Sequence, residues 1–236
     1  AHIRKPATAD AERAAVVGAY AWSGRLDEAR ALHARFDGRA AATYREPARC
    51  WLAVGLCHAG DLAAARGLLA AARATPLPLG DGLRYYRLHA RAFVAYFRGR
   101  MARSIRLGRR ALRVAIAHDN AFGQLLSNDL LGHACVHLGM VRRGQRLLGG
   151  AALLAAELGL SHNRLNLMAA QHIIAVGAAP DDDDAVASLT RLLREPNLGF
   201  FTRRHGHIAL AIAGALRGDL IMADDARRAA AGFAVL

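Results

Sequence analysis

Three stretches of this chain place polar and aromatic groups at helical spacing. Tyr86, His89, Phe93 and Tyr96 recur at steps of three and four, as do Asp129 and His133 with Val136 and His137 nearby, and Arg164, Leu167, Gln171 and Ile174. Residues spaced in this way share one face of an α-helix. Together they bring aromatic rings beside a carboxylate, imidazoles, an amide and a guanidinium, a mixture that suits an orienting ligand pocket or a peptide groove. The same groups can equally serve as ordinary packing and hydrogen-bonding partners between helices.

Other chemistries are poorly served. His133 and His137 flank Cys135 at a spacing that superficially suits zinc, but no glutamate follows His133 and a third ligand would have to come from elsewhere. In His205-Gly-His207 the two imidazoles point to different faces. The run Asp181–Asp184 lacks the alternating ligands of a calcium loop and reads instead as a cap for a helix starting near Ala185. There is no GxSxG elbow, no pair of catalytic carboxylates and no GxxxxGK[ST] loop. The expectation is therefore no catalytic residue, no metal and no cofactor.

The charge is strongly and unevenly basic. The net charge is +13, and between Arg84 and Arg113 ten arginines occur with no acidic residue. Arg100, Arg103, Arg106, Arg110 and Arg113 follow helical spacing, forming a basic surface open to phosphate, an acidic partner or an adjoining domain. Exposed aromatics for base stacking are not interleaved with them, so direct nucleic-acid binding is left open and a solvated face or domain contact is favoured. Arginine supplies all the basic charge except Lys5, a compositional bias that discounts the signal.

The elements that must position these groups are helices. Alanine, leucine and arginine dominate and the six prolines are scattered, which favours helix over sheet. Residues 1–9 carry no periodicity and read as a lead-in. Apolar spacing then predicts helix pairs over roughly 11–37, 47–74, 83–118, 122–158, 164–195 and 202–233, with Pro47 at a helix start and a proline- and glycine-rich loop at Thr75–Gly82. Cys50, Cys57 and Cys135 sit inside apolar helical patterns and read as reduced packing residues. The longest apolar stretch, Leu147–Leu160, contains Glu157 and is too short to span a membrane, and the N-terminus lacks a signal-peptide core. A cytoplasmic protein is expected.

The helix pairs turn at Gly24, Gly60, Gly99, Gly139, Gly177 and Gly218, at steps of 36, 39, 40, 38 and 41. A period in this range with two helices per unit marks an α-solenoid. The pattern resembles the tetratricopeptide repeat: Tyr20, Gly24, Leu26 and Ala29 in the first unit; Gly60, Leu62, Ala65 and Ala72 in the second; Gly218, Leu220, Ala223 and Ala230 in the sixth. Gly132, Leu131 and Gly139 supply part of it in the fourth. Ser104 and Gly144 replace the second-helix alanine, the early tryptophan is absent, and the steps exceed the family's usual length. The longer, alanine- and arginine-rich units are also similar to the sensor region of bacterial transcription activators of the MalT/LuxR type.

That resemblance implies an all-α, right-handed solenoid of about six antiparallel hairpins, a single array over residues 1–236. It implies that the inner face, made by first helices, carries Tyr86, His89, Phe93, Tyr96, Asp129, His133, Arg164 and Gln171, and that the arginines of unit three lie on its outer helix. The chain opens without methionine and ends on Phe233-Ala-Val-Leu, as a fragment of a longer regulator would. The expected role is a non-enzymatic module of a bacterial transcription regulator that binds a protein or peptide, or senses a small effector, and contacts neighbouring domains. The alternative is an assembly scaffold or nucleic-acid-associated adaptor using the arginine-rich face.

Overall fold

Glycine at a helix end allows the chain to turn through positive φ, and this device recurs along the protein. The computed structural model describes residues 6–36, 42–74 and 81–232. Gly24, Gly60, Gly99, Gly139 and Gly218 all adopt φ between 70° and 87°. The amide after each glycine donates to a carbonyl five residues earlier, as Arg25 N–H does to Tyr20 and Arg100 N–H to Ala95, both at 2.9 Å. These bonds satisfy carbonyls that a helix end leaves open.

The protein is all-helical, with twelve helices and no strand among the described residues. They are α1 (Pro6–Trp22), α2 (Leu26–Ala34), α3 (Ala42–His58), α4 (Leu62–Ala74), α5 (Asp81–Phe97), α6 (Met101–Ala117), α7 (Ala121–His137), α8 (Val141–Glu157), α9 (Ser161–Ala178), α10 (Asp183–Leu192), α11 (Phe200–Arg217) and α12 (Leu220–Ala231). Two compact units divide the chain, Ala1–Ala134 and Cys135–Leu236. No helix among the described residues is long and apolar enough to cross a membrane.

In the first unit α1 packs on α3 and α3 on α5, with α2, α4 and α6 flanking them. Small residues set the approach. A Cβ on Gly55 would lie 2.8 Å from the Ala21 carbonyl oxygen, so α3 touches the α1 backbone there. Ser104 is fully buried and its hydroxyl donates to the Ala92 carbonyl at 3.0 Å, which ties α6 to α5 where alanine is expected. The core here gathers Cys50, Val54, Tyr85, Leu88, Phe93, Leu107 and Leu130.

Glu46 is 2 % exposed and holds the α3–α5 junction. It accepts from Arg87 Nε at 2.5 Å and Arg49 Nη1 at 3.4 Å, so the buried carboxylate is paired rather than isolated. Cys50, Cys57 and Cys135 are buried and unpaired with one another, and burial pushes the Cys57 thiol up to about 12. In the second unit α9 packs on α8, α10 and α11, and α11 on α12, around Leu189, Leu193, Leu198 and Leu210.

Four local expectations are corrected. Residues 6–9 belong to α1, because alanine-rich sequence sustains a helix without an apolar stripe. Pro47 lies inside α3 rather than at its start, where its missing N–H forgoes one helical hydrogen bond. Thr75–Gly80 lies outside the described residues, and Asp81 and Gly82 already belong to α5. Gly177 is helical, within α9, and the turn to α10 is made instead by residues 179–182. Asp182 caps α10 there, its side chain accepting from Ala185 N–H at 3.0 Å, while Asp183 and Asp184 occupy the first turn as the helix dipole favours.

Candidate functional site

An aromatic column runs through the first unit, built from α3, α5 and α7. Trp51 sets its ring edge-on to Tyr86, with centroids 5.8 Å apart, and to His89 at 6.0 Å, and lies 6.4 Å from Phe122. His89 stacks on Tyr85 at 5.5 Å and meets Phe93 at 5.0 Å. Farther along, His58 sits between Phe93 and Phe97, and Trp22 joins from α1 by its contacts with Trp51 and His58. The column surfaces at Phe122, which is 40 % exposed, and at the half-buried Tyr86.

Beneath that exposed end lies a set of buried polar atoms. His89 is 2 % exposed, and neither of its ring nitrogens has a hydrogen-bond partner among the described residues. Tyr85 Oη and Ser127 Oγ are likewise buried and lie near each other, the Ser127 hydroxyl acting on the phenol as its hydrogen-bonding neighbour. Leaving the His89 nitrogens without partners costs free energy comparable to a lost hydrogen bond. Burial lowers His89 to about 4, partly opposed by the Asp129 carboxylate, so the ring is neutral at physiological pH. Burial likewise raises Tyr85, against the pull of the Ser127 hydroxyl, and raises Tyr96, with Asp129 adding to the effect. Asp129 Oδ1 lies 3.3 Å from His133 Nε2, one helical turn along α7.

The sequence-derived residues thus divide by depth and by unit. Tyr86, Tyr96, Asp129 and His133 are half-buried in the first unit, where His89 and Phe93 belong to the core beneath them. The spacing identifies the face but not what covers it, and α3 covers His89 and Phe93 through Trp51 and His58. Arg164 is exposed and Gln171 half-buried in the second unit, on α9. Gln171 Nε2 would stand 3.3 Å from a Cβ on Gly149, so the glycine of α8 makes room for the amide. Trp51, Tyr85, Phe122 and Ser127 are absent from the sequence-derived set. An indole and a mid-helix hydroxyl in otherwise alanine- and leucine-rich helices are the signals that point to them.

The arginine series behaves as one surface. Arg103, Arg106, Arg110 and Arg113 on α6, and Arg100 at its N-cap, are all exposed, and none makes an ion pair among the described residues. The Arg98 guanidinium is held below its usual range, first by Arg100 and then by desolvation, Arg66 and Arg103. Like charges therefore gather at the α5–α6 turn, and among the described residues no carboxylate acts on Arg98.

No family model, no curated protein and no solved structure matches the chain. Any functional reading rests on the residues themselves. The α5–α7 face can stack on a planar or apolar group through Tyr86 and Phe122, and Asp129 with His133 can orient a donor. Neutral His89 offers one donor and one acceptor to a group or water that reaches it.

Proposed function

We propose that the chain is a non-enzymatic interaction or sensing module, a right-handed tetratricopeptide-like array of six helix hairpins serving as the regulatory part of a bacterial transcription regulator. A peptide, a protein segment or a small effector docks on the face bearing Tyr86, Tyr96, Asp129 and His133. Arg164 and Gln171 are separate candidates on α9. The observation that carries the reading is the aromatic column reaching the surface at Tyr86 and Phe122 above buried His89, whose ring nitrogens have no hydrogen-bond partner among the described residues. Partly apolar walls with a few buried polar groups are what an orienting site needs. The repeated glycine turns and the packing of α1 on α3 and α3 on α5 support the array. Regulation further requires that the ligand prefer one arrangement of neighbouring domains over another.

A second reading, an adaptor or scaffold that uses the arginine face of α6, is favoured by the exposed series Arg100, Arg103, Arg106, Arg110 and Arg113, which makes no ion pair among the described residues. Selection from a displayed peptide library separates the two. The first reading expects enriched peptides whose affinity falls about tenfold or more with Tyr86→Ala and Asp129→Asn, a loss of roughly 1.4 kcal/mol, while helicity is unchanged. Peptides indifferent to both substitutions but lost with Arg103→Glu and Arg110→Glu favour the second.

A further inference from the structure

Five large apolar side chains stand in solvent on the last two helices: Ile208, Ile212, Leu216, Leu220 and Ile221, exposed by 39, 56, 69, 74 and 79 %. Ile208, Ile212 and Leu216 are spaced four apart and form one row along α11, and Leu220 opens α12 four residues later. They make an apolar patch on the order of 500 Å², the upper range for a monomer.

The turn glycines show what such a row does elsewhere. Counted from Gly218, the four positions match Ala14, Gly18, Trp22 and Leu26 around Gly24, and Cys50, Val54, His58 and Leu62 around Gly60. In the first unit those residues receive the next odd-numbered helix. A Cβ on Gly18 would meet Trp51 of α3 at 3.3 Å, Trp22 packs on Trp51 and His58, and Leu26 Cδ2 would lie 3.0 Å from a Cβ on Gly55. Cys50 and Val54 join the core with Tyr85 and Leu88 of α5, and His58 meets Phe93 and Phe97. Leu26 is accordingly 7 % exposed, whereas its counterpart Leu220 is 74 % exposed. The α11 row is a helix-receiving face with no helix on it among the described residues.

We propose that a second copy of the chain covers this face, the two α11 helices packing antiparallel about a two-fold axis near Ile212. Antiparallel pairing sets Ile212 against itself and Ile208 against Leu216, and lays the Arg204 stem beside Leu220, so the three α11 members of the row are self-complementary. Charge agrees: Arg204 continues the row at one end, and at the other lies the exposed carboxylate of Asp219, which caps α12 by accepting from Met222 N–H, where Arg217 is already paired with Asp183. Antiparallel packing brings each basic end to an acidic one, and parallel packing does not. Head-to-tail stacking onto α1 is disfavoured, because Val16, at 38 %, is the one exposed large apolar residue among the described residues of that helix. Two patches would bury on the order of 1,000 Å², enough for a weak reversible dimer.

Sedimentation velocity over a concentration series tests this. The mass should rise toward twice the monomer, and Ile212→Asp should return it to the monomer with unchanged far-ultraviolet circular dichroism. Ile212→Cys should give a disulfide-linked dimer under mild oxidation, since Cys50, Cys57 and Cys135 are buried. A monomer at every concentration overturns the proposal, whatever other helix the row then accepts. A dimer that survives Ile212→Asp, or one that Ile212→Cys does not cross-link, overturns it as well. This face lies apart from Tyr86 and Asp129 in sequence and unit, so its failure leaves the proposed binding face untouched.

Discussion

The folded protein keeps His89 neutral down to about pH 4, because burial strips the imidazolium of water and Asp129 offsets only part of that cost. The unfolded chain takes up the same proton near the ordinary value of 6.5. Protons therefore favour the unfolded state between these limits: stability is full above 6.5 and falls as the pH drops toward 4. A shift of this size corresponds to roughly 3 kcal/mol at the acid limit. Urea midpoints measured at neutral pH and near pH 4.5 should show the loss, and His89→Phe should remove most of it. Burial also lowers His33 and His207, so the difference between the two proteins is what isolates His89. Glu46 gives a second test. Glu46→Ala leaves the Arg49 and Arg87 guanidiniums without their shared carboxylate and should cost about 3–5 kcal/mol in chemical denaturation. Glu46→Gln, which keeps the shape, should cost less.

Among elements, helix contacts and helix interiors make opposite demands on glycine. Gly55 lies where α3 meets the α1 backbone, so Gly55→Ala should destabilise by about 1–3 kcal/mol through overpacking. Gly67 lies in the interior of α4 with nothing within 4 Å of an added Cβ, and Gly67→Ala should stabilise by about 0.5–1 kcal/mol. Thermal unfolding of the two variants checks the opposite signs. Positive-φ glycines were legible at Gly24, Gly60, Gly99, Gly139 and Gly218 because an apolar helix ended just before each. Gly177 had the spacing but not the chemistry, since α9 continues through it to Ala178 and an aspartate cap makes the turn. Asp119 shows the reverse: it takes φ 48° between α6 and α7, and Gly159 takes φ 68° between α8 and α9. A non-glycine residue at such a turn leaves no composition signal.

At the scale of the whole molecule, helical class was legible from composition and periodicity, but depth was not. Spacing aligned Tyr86, His89, Phe93 and Tyr96 correctly along α5, yet whether a residue on that line is open or covered depends on Trp51 and His58 of α3, which local spacing does not reveal. The arginine series was legible because like charges on one helix have nowhere to go but water. These two surfaces support the competing accounts of function, and the response to salt distinguishes them. The most direct measurement is the affinity of a library-selected peptide across about 50–300 mM salt for the unmodified chain, for Tyr86→Ala with Asp129→Asn, and for Arg103→Glu with Arg110→Glu, alongside duplex DNA and RNA as probes. The binding-face account predicts a shallow salt slope, a loss of about tenfold or more for the first pair of substitutions, little change for the second, and only weak nucleic-acid binding. Steeply salt-sensitive nucleic-acid binding that disappears with Arg103→Glu and Arg110→Glu, with peptide affinity indifferent to Tyr86 and Asp129, would contradict it.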